Sequence, residues 1–215
     1  GVAMANAARN GVFAAIIAAK GMTGPDPIFE GLGGLFNAVT GPFELDPFGG
    51  NGRPFRILDS MIKHFPLGAI AQTAVEGVLR IRPKLASIDD IEEILVETNG
   101  TTMSGDPDKW DPKTREAADH SMPYSVATAL RFGPPQVYHY HPEYFRDPTT
   151  LELMQKVKVE VTEEGLKSRP DGGLNVVEVV TKSGQRFIER GTYHKGHPKN
   201  PMTDEELEGK FRSLA

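Results

Sequence analysis

The sequence contains no cysteine, no long apolar run and no excess of basic residues. Without cysteine the chain can form no disulfide, no thiolate nucleophile and no cysteine-ligated zinc or iron–sulfur centre. No apolar stretch approaches the roughly 20 residues that a membrane-spanning helix requires. The formal net charge of −5 argues against general nucleic-acid binding, which needs a basic face. An intracellular enzyme fits these absences best, so we expect no membrane or nucleic-acid partner and a cytoplasmic location, or a mitochondrial one in a eukaryote.

The chain has 215 residues, of which 39% are hydrophobic and 25% charged, as is ordinary for a globular protein. This length suffices for one or two domains with a proper core. The 17 prolines and 23 glycines are scattered along the chain, which indicates many turns and no long disordered linker.

Both ends of the chain carry helical sequences with incomplete capping signals. Only Arg9 and Lys20 are charged in the first twenty residues, so this Ala-rich helix is apolar nearly all round and typical of a bundle interior. The last segment begins with a cap at Thr203 or Asp204 and then stops without a capping signal. We therefore expect an internal piece of a longer protein; a frayed natural terminus is the alternative.

The Gly- and Pro-rich stretch 41–54 predicts a domain boundary. Before it, a second helix is expected to start at Asp26 and Pro27. We assign three regions: helices of an all-helical domain, an α+β domain, and the start of a returning helical section, at residues 1–42, 43–200 and 201–215.

Within the middle region the hydrophobic pattern alternates irregularly between strand and helix periods. Strands are expected at 55–65, 91–99 and 156–164, and helices at 66–81, 111–130 and 147–157. Two β-rich runs around Lys182–Gln185 predict a hairpin. The pattern favours an α+β fold with a two-layer sandwich over a doubly wound parallel sheet.

Three side chains are candidates for chemistry. Lys63 precedes Pro66 where a strand gives way to a helix, and it could carry a carboxylate; a solvated lysine is the alternative. His120 and Tyr124 would share a face of the 111–130 helix beside a kink at Pro123, as an acid–base or substrate-holding pair. The alternative is a core tyrosine hydrogen-bonded to a buried histidine.

Two further histidine-containing stretches carry weaker signals. His139 and His141 would share a face of a strand and could hold a metal, but no third ligand lies at suitable spacing, so we interpret them as surface aromatics. His197 and Lys199, between two prolines, could bind an anion; a structural role in the return to the last helix is favoured.

Several longer stretches together resemble the MmgE/PrpD family. They include "KHFP" with "AQTAVE", "KWDPKTREAADHSMPY", "RDPTTLELMQKVKVE" and "GHPKNPMTDEELEGKFRSL". The resemblance covers essentially the whole chain in order. It implies an all-helical domain built from both chain ends with an α+β domain inserted between them, and an active-site cleft between the two. The family includes 2-methylcitrate dehydratase, cis-aconitate decarboxylase and an iminodisuccinate epimerase.

The resemblance also implies site residues. Lys63 and Tyr124 match a lysine and a tyrosine of the family site, as catalytic and substrate-binding groups, and His120 matches a motif residue that orients its neighbours. The family's other acid–base residues, an aspartate, two histidines and a lysine, are expected in a helical section before Gly1. The implied substrates are small di- or tricarboxylates, with no metal and no cofactor, and we expect a homodimer.

The sequence departs from the dehydratase pattern at one place. Gly68, Ala69 and Ile70 stand where those enzymes carry an acid, an aromatic residue and a histidine. The leading hypothesis is a hydro-lyase that eliminates water from a 2-methylcitrate-like tricarboxylate. A decarboxylase or epimerase of the same family and a non-catalytic remnant are the alternatives. We expect the isolated chain to be inactive.

Overall fold

The computed structural model describes residues 3–44 and 49–214. The chain divides into two compact units, Gly1–Pro54 and Phe55–Ala215. The boundaries expected at 42/43 and 200/201 stay predictions, and residues 45–48 of the expected boundary lie outside the described part.

In the first unit, α1 (Ala3–Ala19) is the expected apolar helix. The second expected helix is wrong, because only Phe36–Thr40 forms a helical turn, of the π type. The preceding residues make turns, with the amide of Leu35 donating to the carbonyl of Ile28 at 3.0 Å. Three glycines in "GLGGLF" explain the difference, since each destabilises a helix by about 1 kcal/mol relative to alanine.

The second unit is built around one four-stranded sheet in the order β2-β1-β3-β4. The strands β1, β2, β3 and β4 span Ile91–Thr98, Val157–Val161, Asn175–Thr181 and Arg186–Gly191. β1 runs parallel to β2 and antiparallel to β3, and β3 and β4 form the hairpin that the sequence predicts. The mixture of helices and one sheet confirms the α+β class.

Helices cover one face of this sheet. The helices of this unit are α2 to α8, which span Gln72–Ile81, Arg115–Asp119, Met122–Phe132, Pro142–Phe145, Pro148–Gln155, Glu163–Lys167 and Asp204–Leu214. α2 contacts β3 and β4, and α4 contacts α2 and β2. Buried Ile94, Val96, Val177 and Val179 face these helices, which follows from the period of two along each strand. The core lies between the two layers.

Two expected elements of this unit are wrong. Residues 55–65 form no strand; they contain a 3₁₀ turn at Arg56–Asp59, and Ile57 and Leu58 are more than 70% exposed. The expected helix 111–130 is two helices, α3 and α4. Thr114 caps α3 and Ser121 caps α4, each accepting from a backbone amide at 3.1 Å.

The break between α3 and α4 changes the geometry expected for the tyrosine and histidine. Pro123 lies in the first turn of α4, where its missing N–H has no helical partner to lose, so it makes no kink. His120 follows the last residue of α3, and Tyr124 belongs to α4. The two side chains therefore do not share a helical face.

Candidate functional site

Lys63 lies on a segment whose backbone is fixed on both sides. The amide of Ile62 donates to the carbonyl of Gly196 at 2.8 Å. The buried Gln72 side chain accepts from the amide of Phe65 at 3.0 Å and donates back to its carbonyl at 2.9 Å. Lys63 itself is exposed, and its ammonium makes no hydrogen bond or ion pair with any residue that the structure describes. The fold thus holds the backbone and leaves the cation free.

A second lysine lies close to Lys63. Lys210 of α8 donates from Nζ to the carbonyl of His64 at 3.2 Å. Burial, and then the charge of Lys63, lower the pKa of Lys210. The two positive charges repel each other, and together they create a positive potential that favours the binding of an anion.

Lys210 lines the first of two neighbouring hollows in the surface of the second unit. The first, the Lys210 groove, has a volume of about 270 Å³, and His64, Pro66, Val137 and Lys210 are among its lining residues. The second, the Arg115 hollow, has a volume of about 260 Å³ and is lined by Pro66, Arg115, Glu116, Asp119, Val137 and Tyr140. Both hollows are lined by Pro66 and Val137, so they are neighbours on the surface of this unit.

The side chain of His64 already contacts two neighbours, Phe65 and Glu76. Its ring stacks on Phe65 with centroids 4.2 Å apart, and its Nδ1 lies 3.4 Å from Oε1 of Glu76. The same carboxylate oxygen accepts from the amide of Lys195 at 2.8 Å. Burial alone would raise the pKa of Glu76, but the hydrogen bonds from His64 and Lys195 outweigh it and lower that pKa. Glu76 therefore acts as an ionised anchor for the Lys63 segment.

His120 is exposed beside the Arg115 hollow. Its Nδ1 pairs with the carboxylate of Asp119, a residue that lines the hollow. Arg115, one helical turn earlier, makes no ion pair or side-chain hydrogen bond within the described ranges. The structure therefore adds a free guanidinium in the hollow next to the one that Lys210 lines.

Tyr124 is fully buried, with 0% of its surface exposed. Its hydroxyl donates to the backbone carbonyl of His139, and burial raises the pKa of this phenol to about 12. The structure thus leaves Lys63 and His120 exposed and places Tyr124 in the core. Contact between Tyr124 and a substrate stays a prediction, and it would require this hydrogen bond to open.

The interpretation of His139 and His141 as surface aromatics is wrong for His139. His139 is 3% exposed, its Nδ1 accepts from the amide of Gln136 at 2.9 Å, and its ring stacks on Phe132 at 5.1 Å. The pair lies in a 3₁₀ turn, Val137–Tyr140, and at its end rather than in a strand. Among residues 3–44 and 49–214, no three acidic or histidine side chains are grouped so that they could hold a metal.

The His197–Lys199 stretch forms a closed turn. The amide of Gly196 donates to the carbonyl of Asn200, and the amide of Asn200 donates to the carbonyl of His197, both at 2.8 Å. Nδ1 of His197 accepts from the amide of Lys199 at 3.0 Å. These bonds support the structural role, because the turn carries the Gly196 carbonyl that fixes the Lys63 segment.

In the segment that departs from the dehydratase pattern, Gly68 is tightly packed. A Cβ on Gly68 would lie 2.4 Å from the sulfur of Met103, and the Gly68 amide donates to the Asp119 carbonyl at 2.9 Å. Ala69 and Ile70 instead line a separate cavity of about 110 Å³. Gly68, Ala69 and Ile70 therefore bring no polar side chain to the positions where the resemblance implies an acid, an aromatic residue and a histidine.

The sequence analysis did not identify three residues that line the two hollows: Arg115, Tyr140 and Lys210. Lys210 lies in a strongly charged helix where a lysine is expected to be solvated. Arg115 begins a short helix that was expected to be the middle of a longer one. Tyr140 belongs to the "YHYHP" stretch, and only its burial, at 5% exposed, distinguishes it from its neighbour Tyr138 at 51%.

Within the described residues, no helix has the length and apolar character needed to cross a bilayer. The family model for the MmgE/PrpD C-terminal domain matches residues 65–215, and that for the N-terminal domain matches residues 1–47.

Two curated relatives align with nearly the whole chain. Cis-aconitate decarboxylase of Mus musculus is 27% identical over 219 residues, and that of Homo sapiens is 26% identical over 222. Each alignment covers 98% of this chain and 44% of the relative, so the chain spans less than half the length of these enzymes. The C-terminal family model alone covers well over half of the sequence, and the chain belongs to the MmgE/PrpD family.

Proposed function

We propose that the whole protein is a lyase that acts on a small di- or tricarboxylate without metal or cofactor. The observation that carries this proposal is a pair of neighbouring hollows that share Pro66 and Val137, one lined by Lys210 with Lys63 close by, and the other lined by Arg115. Three cations, none with an ion pair to a described residue, match a ligand with two or three carboxylates.

The first candidate reaction is elimination of water from a 2-methylcitrate-like acid. A base removes a proton from the carbon next to a carboxylate, a carbon–carbon double bond forms, and the hydroxyl leaves as water after taking up a proton. Lys63 and Lys210 would bind carboxylates and offset the negative charge that develops on them. The base is expected among the family residues of the helical section, outside this chain.

The second candidate is decarboxylation, which the identity of the two relatives favours. In this reaction a carbon–carboxylate bond breaks, carbon dioxide leaves, and the electron pair remains on carbon until a proton is added there. The same cations would hold the carboxylates that remain.

The products decide between these reactions. The natural protein that carries this sequence would be incubated with 2-methylcitrate and with cis-aconitate, and the mixtures followed by proton NMR. Loss of water from 2-methylcitrate supports the first candidate, and release of carbon dioxide from cis-aconitate supports the second. Exchange of a carbon-bound proton with solvent deuterium, with inversion and no other change, would indicate an epimerase. Binding of these acids without any turnover would support a non-catalytic protein.

Location and assembly are further parts of the proposal. We infer a cytoplasmic protein, or a mitochondrial one in a eukaryote, that works as a homodimer. Light scattering coupled to size-exclusion chromatography would give the mass of the assembly. A monomer that turns over substrate at a normal rate would contradict the dimer.

A further inference from the structure

The helix that carries Lys210 buries little of its surface against the rest of the second unit. None of the described residues of α8 is buried, and its apolar side chains Leu207, Phe211 and Leu214 are each more than 40% exposed. Burial of an apolar face is what normally fixes a helix on its neighbours. Because α8 lacks such a face here, polar contacts decide where Lys210 lies.

These polar contacts form a closed ring that begins and ends at His64. Nζ of Lys210 donates to the His64 carbonyl at 3.2 Å. Nδ1 of His64 lies 3.4 Å from Oε1 of Glu76, and the amide of Lys195 donates to the same oxygen at 2.8 Å. Nζ of Lys195 lies 2.9 Å from Oε2 of Glu206, which is on α8 one turn before Lys210. The ring therefore ties α8 to the rest of the unit.

The ion pair between Lys195 and Glu206 is the link of this ring that holds the start of α8. Oε2 of Glu206 also accepts from the amide of Thr203 at 2.8 Å, and the Thr203 hydroxyl accepts from the Glu206 amide at 3.2 Å. These two bonds make a capping box, which orients the carboxylate toward Lys195. The hydrogen bond from Lys195 is the main cause of a lowered pKa of Glu206, so this carboxylate is ionised.

The position of α8 bears on the two ammonium groups of the proposed site. Lys63 directly precedes His64, whose carbonyl accepts from Lys210. Burial, and next the charge of Lys63, lower the pKa of Lys210, so the two ammonium groups lie within electrostatic reach of each other. Two cations held at a fixed distance bind best the acid whose carboxylates have the matching separation, because neither partner then has to rearrange.

We propose that the Lys195–Glu206 ion pair sets the distance between these two ammonium groups and thereby selects the carboxylate spacing of the substrate. Lys195 and Glu206 are positioning residues that act through Lys210. This inference rests on the proposed function, and it adds to that function the residues that determine its specificity.

Three unbranched dicarboxylates test the proposal, because malonate, succinate and glutarate differ only in the number of carbons between their carboxylates. Isothermal titration calorimetry on the natural protein gives three dissociation constants, and we expect the tightest and the weakest to differ about tenfold. Lys195→Met with Glu206→Gln removes the ion pair, keeps the net charge and leaves a residue that can complete the capping box. The difference should then narrow to about twofold, because Lys210 is no longer held at one distance.

A second ion pair of α8 provides the matched control. Arg212 lies 3.4 Å from Glu208, and both side chains are more than two-thirds exposed and outside the ring. Glu208→Gln with Arg212→Met also removes one charge of each sign, so the tenfold difference should remain. Lys195→Arg, which keeps the ion pair, should preserve it as well. NMR titration of the labelled Lys210 ammonium gives a second measurement, since its pKa should rise only in Lys195→Met with Glu206→Gln.

The outcomes separate this inference from the proposed function. An undiminished difference in Lys195→Met with Glu206→Gln, or an equal narrowing in the control, overturns this inference and leaves the proposed function intact. Equal affinity of the unchanged protein for the three acids does the same. Failure of all three acids and of citrate to bind overturns the proposed function as well. If the double variant does not fold, Glu206→Gln alone gives the same test, because the lost charge affects the three acids alike.

Discussion

Tyr124 donates its phenolic hydrogen bond to the backbone carbonyl of His139, which lies 15 residues further along the chain. The bond ties α4 to the turn that contains Tyr140 and forms one wall of the Arg115 hollow. Because both partners are buried, removal of the hydroxyl leaves an unpaired carbonyl in the core. We expect Tyr124→Phe to lower the free energy of unfolding by about 1–3 kcal/mol, measured by urea titration.

The same variant tests the role of Tyr124 that the family resemblance implies. If the phenol contacts substrate, Tyr124→Phe should lower kcat/KM of the natural protein about tenfold after correction for the folded fraction. A loss of stability with normal kinetics would leave Tyr124 as a structural residue. Tyr138→Phe serves as the control, with neither quantity changed.

Much of the second unit could be predicted from its sequence. The hairpin around Lys182–Gln185, the strand β1 and the helix α2 follow from periodicity and turn residues that act locally. Residues 55–65 alternate like a strand, but a strand requires a partner backbone. Among the described residues, the one backbone hydrogen bond from this segment to a distant backbone joins the Ile62 amide to the Gly196 carbonyl. Local pattern does not reveal whether such a partner exists.

Part of the candidate site was predictable from the sequence. Lys63 was a candidate from its position before Pro66, and the family resemblance then implied its role. Arg115 and Lys210 join it through contacts between residues far apart in the chain, as in the bond from Lys210 to the carbonyl of His64, 146 residues away. The start of a new helix at Ser121 could have been predicted from the sequence. A serine followed two residues later by a proline is typical of the first turn of a helix, and we interpreted the proline as a kink instead.

Lys63 provides the second prediction. Lys63→Met keeps much of the apolar stem and removes the charge, so the affinity for citrate should fall about tenfold, as expected for loss of a charged hydrogen bond. The pKa of Lys210 should rise in this variant, because the charge of Lys63 lowers it. Calorimetry measures the affinity, and NMR titration of the labelled Lys210 ammonium measures the pKa.

Lys167→Met is the matched control for this experiment. Lys167 lies on α7, its side chain is 73% exposed, and it pairs with Glu163 rather than lining either hollow. An equal loss of citrate affinity in both variants would indicate a general effect of net charge. The assignment of Lys63 to the site would then be wrong.

The burial of His139 predicts a loss of stability in mild acid. Burial lowers the pKa of His139 below its ordinary value of 6.5, so the unfolded state binds a proton that the folded state does not. Stability is therefore complete above pH 6.5 and falls as the pH decreases below it, by up to about 1.4 kcal/mol per pH unit for one proton. Urea titrations between pH 5 and 7.5 measure this slope.

His139→Asn should reduce that slope, since asparagine does not titrate and can still accept from the amide of Gln136. Part of the slope should remain, because burial and the charge of His194 lower the pKa of His197 in the same direction. His141→Asn is the control, as the side chain of His141 is 47% exposed. An unchanged slope in His139→Asn would contradict the prediction.

The final prediction concerns the 215-residue chain by itself, which we expect to be catalytically inert. Its hollows supply cations that can bind carboxylates. Two of their acidic side chains are already paired, Asp119 with His120 and Glu206 with Lys195, so neither is free to act as a base. Proton removal from carbon needs a base held within a fraction of an ångström of its target, and the family resemblance places that base in a helical section outside this chain. Incubation with 2-methylcitrate and cis-aconitate should give no product by NMR, whereas addition of the missing helical segment should restore turnover.

The isolated chain should also self-associate through α1. None of the described residues of this helix is buried within its own unit, and Val12, Phe13 and Ile16 are each more than half exposed. Exposed apolar side chains at this spacing favour association, so light scattering should give a mass above 23.5 kDa. Replacement of Phe13 and Ile16 by serine should lower that mass, whereas Asn10→Ser on the same helix should not. Steady turnover by a monomer of this chain would refute both the two-part site and the exposed helix.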